Sequence, residues 1–362
     1  MKILLLGGTG AMGSHLKDIL SGRGDDVYIT SRKQRQDAQH IFYIQGNAHD
    51  LSFLSTLVAQ QWDAIVDFMV YSTEEFRQRV GTLLQSTKQY VFISSSRVYS
   101  NQESPIKESS PRLLDVSRDE VFLGTDEYSL KKAREEDILF NSGKSNYTIV
   151  RPYITYSERR LQLGDLEHQY WLPRALDGRS IVFSEDIRDH MTTLTYGFDV
   201  ANGIAALIGD ERAYGNAFHI TCGKSLKWQD VLDIYLDAIE ECTGIRPRVK
   251  WTKHSLKLDK DKFKYQILYD RTFDRIFDNA KFLELAPNVK FTEPEAGLRK
   301  CIQSFVQSKE SRMFSGMSEG IRDRISGERM KLGKLVGAKQ KLLYIACRYF
   351  YFDIIWNKLI NR

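Results

Sequence analysis

A doubly wound α/β fold on a parallel sheet is predicted by three features of the chain. The apolar run Ile3-Leu4-Leu5-Leu6 leads at once into Gly7-Gly8-Thr9-Gly10-Ala11-Met12-Gly13, and a helical stretch from Ser14 to Leu20 follows. Over the first 152 residues short apolar strands alternate with helical patterns. Such alternation calls for right-handed crossovers and a parallel sheet covered on both faces. From about Tyr153 the pattern changes to loops and separate helices. That change predicts a smaller C-terminal domain over the carboxyl ends of the strands, where ligands bind in open sheets.

The first strand is Lys2–Leu6. After it, Gly7 permits a tight turn and Gly10 lets backbone amides approach a pyrophosphate. Gly13 lets the helix lie close to the strand with its positive end toward the phosphates. Thr9, Ala11 and Met12 complete this expected dinucleotide turn. A second strand, Val27–Thr30, runs into Ser31-Arg32-Lys33, with no carboxylate to bind a ribose 2′-hydroxyl. Arg32 suits a 2′-phosphate and Ser31 can add a hydrogen bond, so NADP(H) is expected in preference to NAD(H). Phe42–Gln45 is the third strand, and Asn47-Ala48 fit a chain passing an adenine ring. The fourth, Ala64–Phe68, places Phe68 at the cofactor. Helical Phe76–Ser86, strand Tyr90–Ser94, helical Leu130–Phe140 and strand Thr148–Arg151 follow. Further on, His168–Leu176 and Trp228–Cys242 read as helices, and Asp199-Val200-Ala201 opens a helix returning to the main domain.

Two groups of residues carry chemistry. In a helix, Tyr128 and Lys132 share a face because positions i and i+4 are neighbours. An ammonium beside a phenol favours the phenolate and suits the tyrosine to general base work. The run Ile93-Ser94-Ser95-Ser96-Arg97-Val98-Tyr99 ends the fifth strand. A hydroxyl there points into the ligand crevice, where it can bond a substrate oxygen.

Over residues 1–310 the chain resembles the extended short-chain dehydrogenase/reductases, in particular the nucleotide-sugar epimerase/dehydratase group. The resemblance rests on Gly7-x-x-Gly10-x-x-Gly13, the Ser-Ser-x-x-Val-Tyr type segment, Tyr128-x-x-x-Lys132, Arg151-Pro152 and Asp199-Val200-Ala201. It implies a Rossmann domain and catalytic Ser95, Tyr128 and Lys132. Tyr128 would take a proton from a sugar hydroxyl, Lys132 would hold the nicotinamide ribose and tune Tyr128, and Ser95 would orient the substrate oxygen. Ser96, Tyr153 and Arg188 are expected at the substrate. Departures matter. The dehydratases carry Asp-Glu where this chain has Ser96-Arg97, the position of a diphosphate-contacting Asn is Ile154, and a usual glycine is Ser100.

The reading is therefore an NAD(P)-dependent epimerase, or related oxidoreductase, acting on a nucleotide-linked sugar through a keto intermediate, as a step in polysaccharide biosynthesis. An NADPH-dependent keto-sugar reductase is the first alternative. A non-catalytic dinucleotide-binding regulator or RNA-associated protein is the second. Domain boundaries are placed at 1–152 with a return segment around 183–222, 153–310, and a basic tail at 311–362. That tail holds eleven basic and four acidic residues, leaving 41 basic and 43 acidic in 1–310. A near-neutral body argues against nucleic acid as partner. The tail, rich in Leu342, Leu343, Ile345, Tyr349, Phe350, Phe352, Ile355, Trp356 and Leu359 among Lys339, Lys341, Arg348 and Lys358, suits either an anionic membrane surface or packing on the body or a second subunit. A homodimer is expected. Cys222, Cys242, Cys301 and Cys347 show no paired spacing, and the histidines none for a metal. The apolar start is too short for a signal peptide. A cytoplasmic protein, with contact at the inner membrane face through the tail, is the expected setting.

Overall fold

The computed structural model describes residues 1–255, 263–308 and 314–353. Packing divides it into two compact units: 1–157 with 193–225 and 275–294, and 158–192 with 226–274 and 295–362.

The first unit is built on a seven-stranded parallel sheet. Its strands are β1 (Lys2–Leu6), β2 (Asp26–Ser31), β3 (Ile41–Gln45), β4 (Trp62–Asp67), β5 (Thr87–Ile93), β6 (Tyr147–Pro152) and β7 (Asn216–Ile220). Their spatial order is β7-β6-β5-β4-β1-β2-β3. The chain reverses direction of travel across the sheet between β1 and β4, which lie side by side with Ile3 opposite Ala64 and Leu6 opposite Asp67. A crevice at the carboxyl ends of these two strands is where such sheets bind ligands.

Every expected strand of the first half is present, with ends shifted by a few residues. The seventh, β7, is an addition. Its sequence Asn-Ala-Phe-His-Ile carries two polar residues in five and gives little strand signal. Tertiary pairing makes the strand, with Phe218 opposite Val150 on β6.

Alternation along β1 sends side chains to two cores. Ile3 and Leu5 pack with Leu16 and Leu20 of α1 (Gly13–Gly22) and with residues that include Ile204 of α5 (Gly197–Leu207). Leu4 and Leu6 face the other way. There they join Leu54 of α2 (Leu51–Val58), Phe76 and Leu83 of α3 (Thr73–Gln85) and Leu139 of α4 (Tyr128–Phe140). Strand periodicity of two thus builds a three-layer unit. Helix starts are chemically marked. Asp50 accepts the Ser52 and Phe53 amides at α2, and Ser72 with Glu75 forms a capping box at α3.

In the second unit, α6 (Trp228–Thr243) matches its expected span closely. The single helix expected over 168–176 is instead a 3-10 turn at His168–Tyr170 and a short helix at Leu172–Leu176. Pro173 has no amide to donate and sits best in a helix's first turn, so the helix restarts there. In the tail, α7 (Gly316–Ser326) and α8 (Ala338–Tyr349) pack backbone to backbone. A Cβ at Gly320 would lie 2.6 Å from the Tyr344 carbonyl oxygen. Tyr344 and Cys347 are buried, whereas Leu342 and Phe350 remain exposed. Tail residues Ile355, Trp356, Lys358 and Leu359 lie outside the described residues. Among the described residues no helix is long and apolar enough to cross a membrane.

A buried ion network ties α7 into this unit. Arg174 Nη1 lies 2.8 Å from Glu319 and its Nη2 3.1 Å from Asp323, while Arg179 Nη1 reaches the same carboxylates at 2.5 and 3.0 Å. Glu328 accepts from Ser180 and from Arg174, and the Tyr344 hydroxyl donates to Asp323 at 2.7 Å.

Candidate active site

The glycine turn has the shape its sequence promises. Gly7 has φ +70°, and a Cβ there would lie 2.7 Å from Met69 Sδ. A Cβ at Gly13 would fall 2.5 Å from the Gly8 carbonyl oxygen, so only glycine lets α1 start this close to β1. The space beside Gly10 is open to 4 Å. Helix α1 has no side-chain cap and no acidic residue in its first turn. An uncapped N-terminus behind an open glycine turn fits a bound pyrophosphate. Thr30 Oγ1 accepts the Gly7 amide at 2.9 Å and ties the turn to β2.

At the end of β2, Arg32 is exposed. The Ser31 hydroxyl donates to the Lys33 carbonyl at 2.8 Å and accepts from Arg35 Nε at 3.3 Å. Arg35 is thus a second basic group at this strand end, one that sequence reading overlooked. Asn47 is exposed and its Oδ1 accepts the His49 amide, while Ala48 is buried. Phe68 continues β4, with its amide bonded to the Leu6 carbonyl at 2.9 Å.

The three serines after β5 are told apart by their partners. Ser94 donates to Glu136 at 2.6 Å. Ser96, expected at the substrate, is fully buried and donates to the Arg151 carbonyl at 2.7 Å; its hydroxyl is committed to the fold. Ser95 accepts the Arg97 amide at 3.2 Å, which leaves its own proton to donate. Of the three, Ser95 is the hydroxyl suited to a substrate oxygen. A rigid lock stands behind it. Arg151 grips Glu136 with Nε at 2.8 Å and Nη2 at 2.7 Å, and donates to the Tyr99 hydroxyl at 2.9 Å. Arg151 and Tyr99, two of the motif residues, therefore hold the strand ends in place.

Tyr128 is the first residue of α4 and half-buried. Glu127 caps the helix through the Ser129 amide at 2.7 Å and also pairs with Arg97 at 2.7 Å. That pair holds the Arg97 guanidinium 5.2 Å from the Tyr128 ring centroid, with Lys131 at 5.9 Å. A cation over the ring is an addition to the sequence reading, since nothing in the spacing of Arg97 and Tyr128 announces it.

Lys132 is 1 % exposed. Its Nζ donates to the Met69 carbonyl at 3.5 Å, lies 4.4 Å from the Phe92 ring centroid and pairs with Glu135 at 2.9 Å. Burial raises the Glu135 carboxyl from 4.5 to about 7 against the pull of Lys132. Asp67, also buried, is pushed up by desolvation although the Met69 amide and the Tyr90 hydroxyl, at 2.9 and 2.8 Å, favour its ionised form. Glu135 and Asp67 were not among the expected site residues.

Two further residues expected at the substrate, Tyr153 directly after β6 and Arg188, have partners of their own. Tyr153 is buried, with its ring 5.3 Å from Phe277. Arg188 belongs to the second unit, pairs with Asp189 at 2.9 Å and lies 5.7 Å from the Trp251 ring centroid.

A seven-stranded parallel sheet with an open glycine turn at its switch point defines a Rossmann-like α/β protein. Residues 3–221 match the model of the NAD dependent epimerase/dehydratase family, and the chain belongs to that family. A UDP-glucose 4-epimerase of Lacticaseibacillus casei is 33% identical over 137 residues, 31% of this chain and 41% of the relative. Chloroplast stem-loop binding protein of 41 kDa b, of Arabidopsis thaliana, is 26% identical over 238 residues, 61% of this chain and 58% of the relative. The chain thus spans about half the length of the curated relatives it matches. Among solved structures, UDP-glucuronic acid 4-epimerase from Bacillus cereus in complex with UDP-glucuronic acid and NAD superposes with a TM-score of 0.63 at 16% identity, covering 85% of this chain and 99% of the other.

Proposed function

We propose that the protein is a nicotinamide-dependent epimerase acting on a sugar linked to a nucleotide. One observation carries this reading: Ser95 keeps a donor free while Ser94 and Ser96 are committed, and Arg97, whose amide Ser95 accepts, stands at the Tyr128 ring. A nicotinamide dinucleotide held at Gly7–Gly13 supplies an acceptor and donor of hydride. Tyr128 takes the proton of a ring hydroxyl as the hydrogen on the same carbon departs, leaving a ketone. Ser95 donates to the substrate oxygen, Arg97 supplies positive charge near the phenol ring, and Lys132 serves the cofactor ribose. The ketone turns its other face, hydride returns, and Tyr128 gives the proton back. Arg32 and the missing carboxylate after β2 support NADP(H); the Bacillus cereus structure named above holds NAD. Mass spectrometry of small molecules released from the purified protein tests the proposal. Oxidised dinucleotide at near-stoichiometric amount supports an epimerase, an empty site supports a reductase exchanging NADPH, and no binding of either dinucleotide overturns both.

A second reading, an RNA-associated protein, draws on the stem-loop binding relative. The near-neutral charge of 1–310 stands against it. Electrophoretic mobility of a labelled RNA stem-loop across a salt series separates the two, because phosphate contacts weaken steeply with salt.

A further inference from the structure

Lys132 is surrounded by more acid than a single ammonium needs. Glu135 Oε2 lies 2.9 Å from Nζ, one helical turn along α4, and both side chains are sealed from solvent. Neither Glu135 oxygen receives a hydrogen bond from an amide or hydroxyl among the described residues. The ammonium is therefore what holds this carboxylate, and the carboxylate is what holds the ammonium. On its other side, Nζ meets the carbonyl of Met69, the residue whose side chain abuts Gly7 of the dinucleotide turn. A lysine with three donors, two of them fixed in this way, has one left to aim.

We propose that Glu135 is a positioning residue: ionised, it anchors the Lys132 ammonium so that its remaining N–H serves the cofactor, and protonated it lets that anchor go. The proposal rests on the nicotinamide reading above and deepens it, because it makes cofactor affinity respond to pH through a residue that acts only by way of Lys132. The groups facing Glu135 are few. Lys131 and Lys132 belong to its own helix, Asp67 lies at the end of β4 and Tyr90 on β5. Behind Asp67 stand the Tyr71 hydroxyl at 3.4 Å and Arg79, whose guanidinium is 4.1 Å from the Tyr71 ring centroid. Desolvation dominates this cluster and brings Glu135 to about 7, so the anchor switches across neutral pH.

The test compares the parent protein with Glu135→Gln, which keeps the shape, and Glu135→Asp, which keeps the charge. Affinity for NADP and NAD is measured from pH 5.5 to 8.5 by fluorescence or calorimetry. In the parent, affinity for the dinucleotide should rise about tenfold as pH increases through neutral, the gain of one charge-assisted bond. Glu135→Gln should abolish the inflection, and Glu135→Asp should keep it with a moved midpoint. Thermal unfolding of the same proteins without cofactor, over the same pH range, reports the Glu135 titration independently of function. If unfolding shows that titration while the affinity of the parent is flat, or if Glu135→Gln keeps the inflection, Glu135 is only a buried acid and the proposal is overturned. If the parent binds neither dinucleotide at any pH, the nicotinamide reading itself fails and takes this one with it.

Discussion

Two buried charge clusters, one in each unit, differ in how well their charges are answered. In the second unit Arg174 and Arg179 share Glu319 and Asp323, Arg174 also reaches Glu328, and the hydroxyls of Ser180 and Tyr344 donate to Glu328 and Asp323. Burial acts to raise Glu328, yet the Ser180 and Ser326 hydrogen bonds and the Arg174 charge bring it below its ordinary value. In the first unit Asp67 and Glu135 face Lys132, and burial wins: both carboxyls are raised. A network whose hydrogen bonds and charge outweigh burial at Glu328 acts as a clamp. One that raises its acids carries an energetic cost, and such costs gather where chemistry is done.

The largest expected effect is at the chemistry. Tyr128→Phe keeps the ring and removes the proposed base, so turnover should fall by about 10²–10⁴-fold with cofactor affinity close to normal. Steady-state rates on a nucleotide-sugar substrate check this, and near-normal turnover would make Tyr128 a packing residue. Breaking the clamp should act on stability instead. Arg174→Met leaves Glu319 and Asp323 buried with one cation, at a cost of about 3–5 kcal/mol, read from urea unfolding. Ending the chain at Glu310 removes all three carboxylates and leaves Arg174 and Arg179 without them, so that truncated protein should lose cooperative unfolding of the second unit.

pH sharpens the contrast because Glu135 and Glu328 are shifted in opposite directions. Glu135 is raised in the folded state, so its contribution is full below about 4.5 and is lost as pH rises through about 7. Glu328 is lowered, so its contribution is present above about 4.5 and is lost as pH falls through its depressed value. The melting temperature of Glu135→Gln relative to the parent should therefore rise between pH 5 and 8, and that of Glu328→Gln should not. Equal pH dependence in both variants would erase the distinction. The smallest effect concerns selectivity: Arg32→Ala should weaken NADP about tenfold or somewhat more and leave NAD nearly unchanged, by titration of both.

Local sequence determined a good deal of this. The six strands of the first half, the Gly7–Gly13 turn and the helix that carries Tyr128 and Lys132 were all legible, because each depends on residues a few positions apart whose spacing fixes a turn, a strand face or a helix. Tertiary structure decided the rest. Strand β7 exists only because β6 offers it an edge, and the three adjacent serines differ only through Glu136 and the Arg151 carbonyl, 42 and 55 residues away. Glu135 is near Lys132 in the chain, yet its raised carboxyl depends on burial against Asp67 at the end of β4, which no local pattern reveals. Propensity and periodicity act over a turn or two of chain, whereas burial, charge and the partner of a hydroxyl are set by whichever distant segment folds against it.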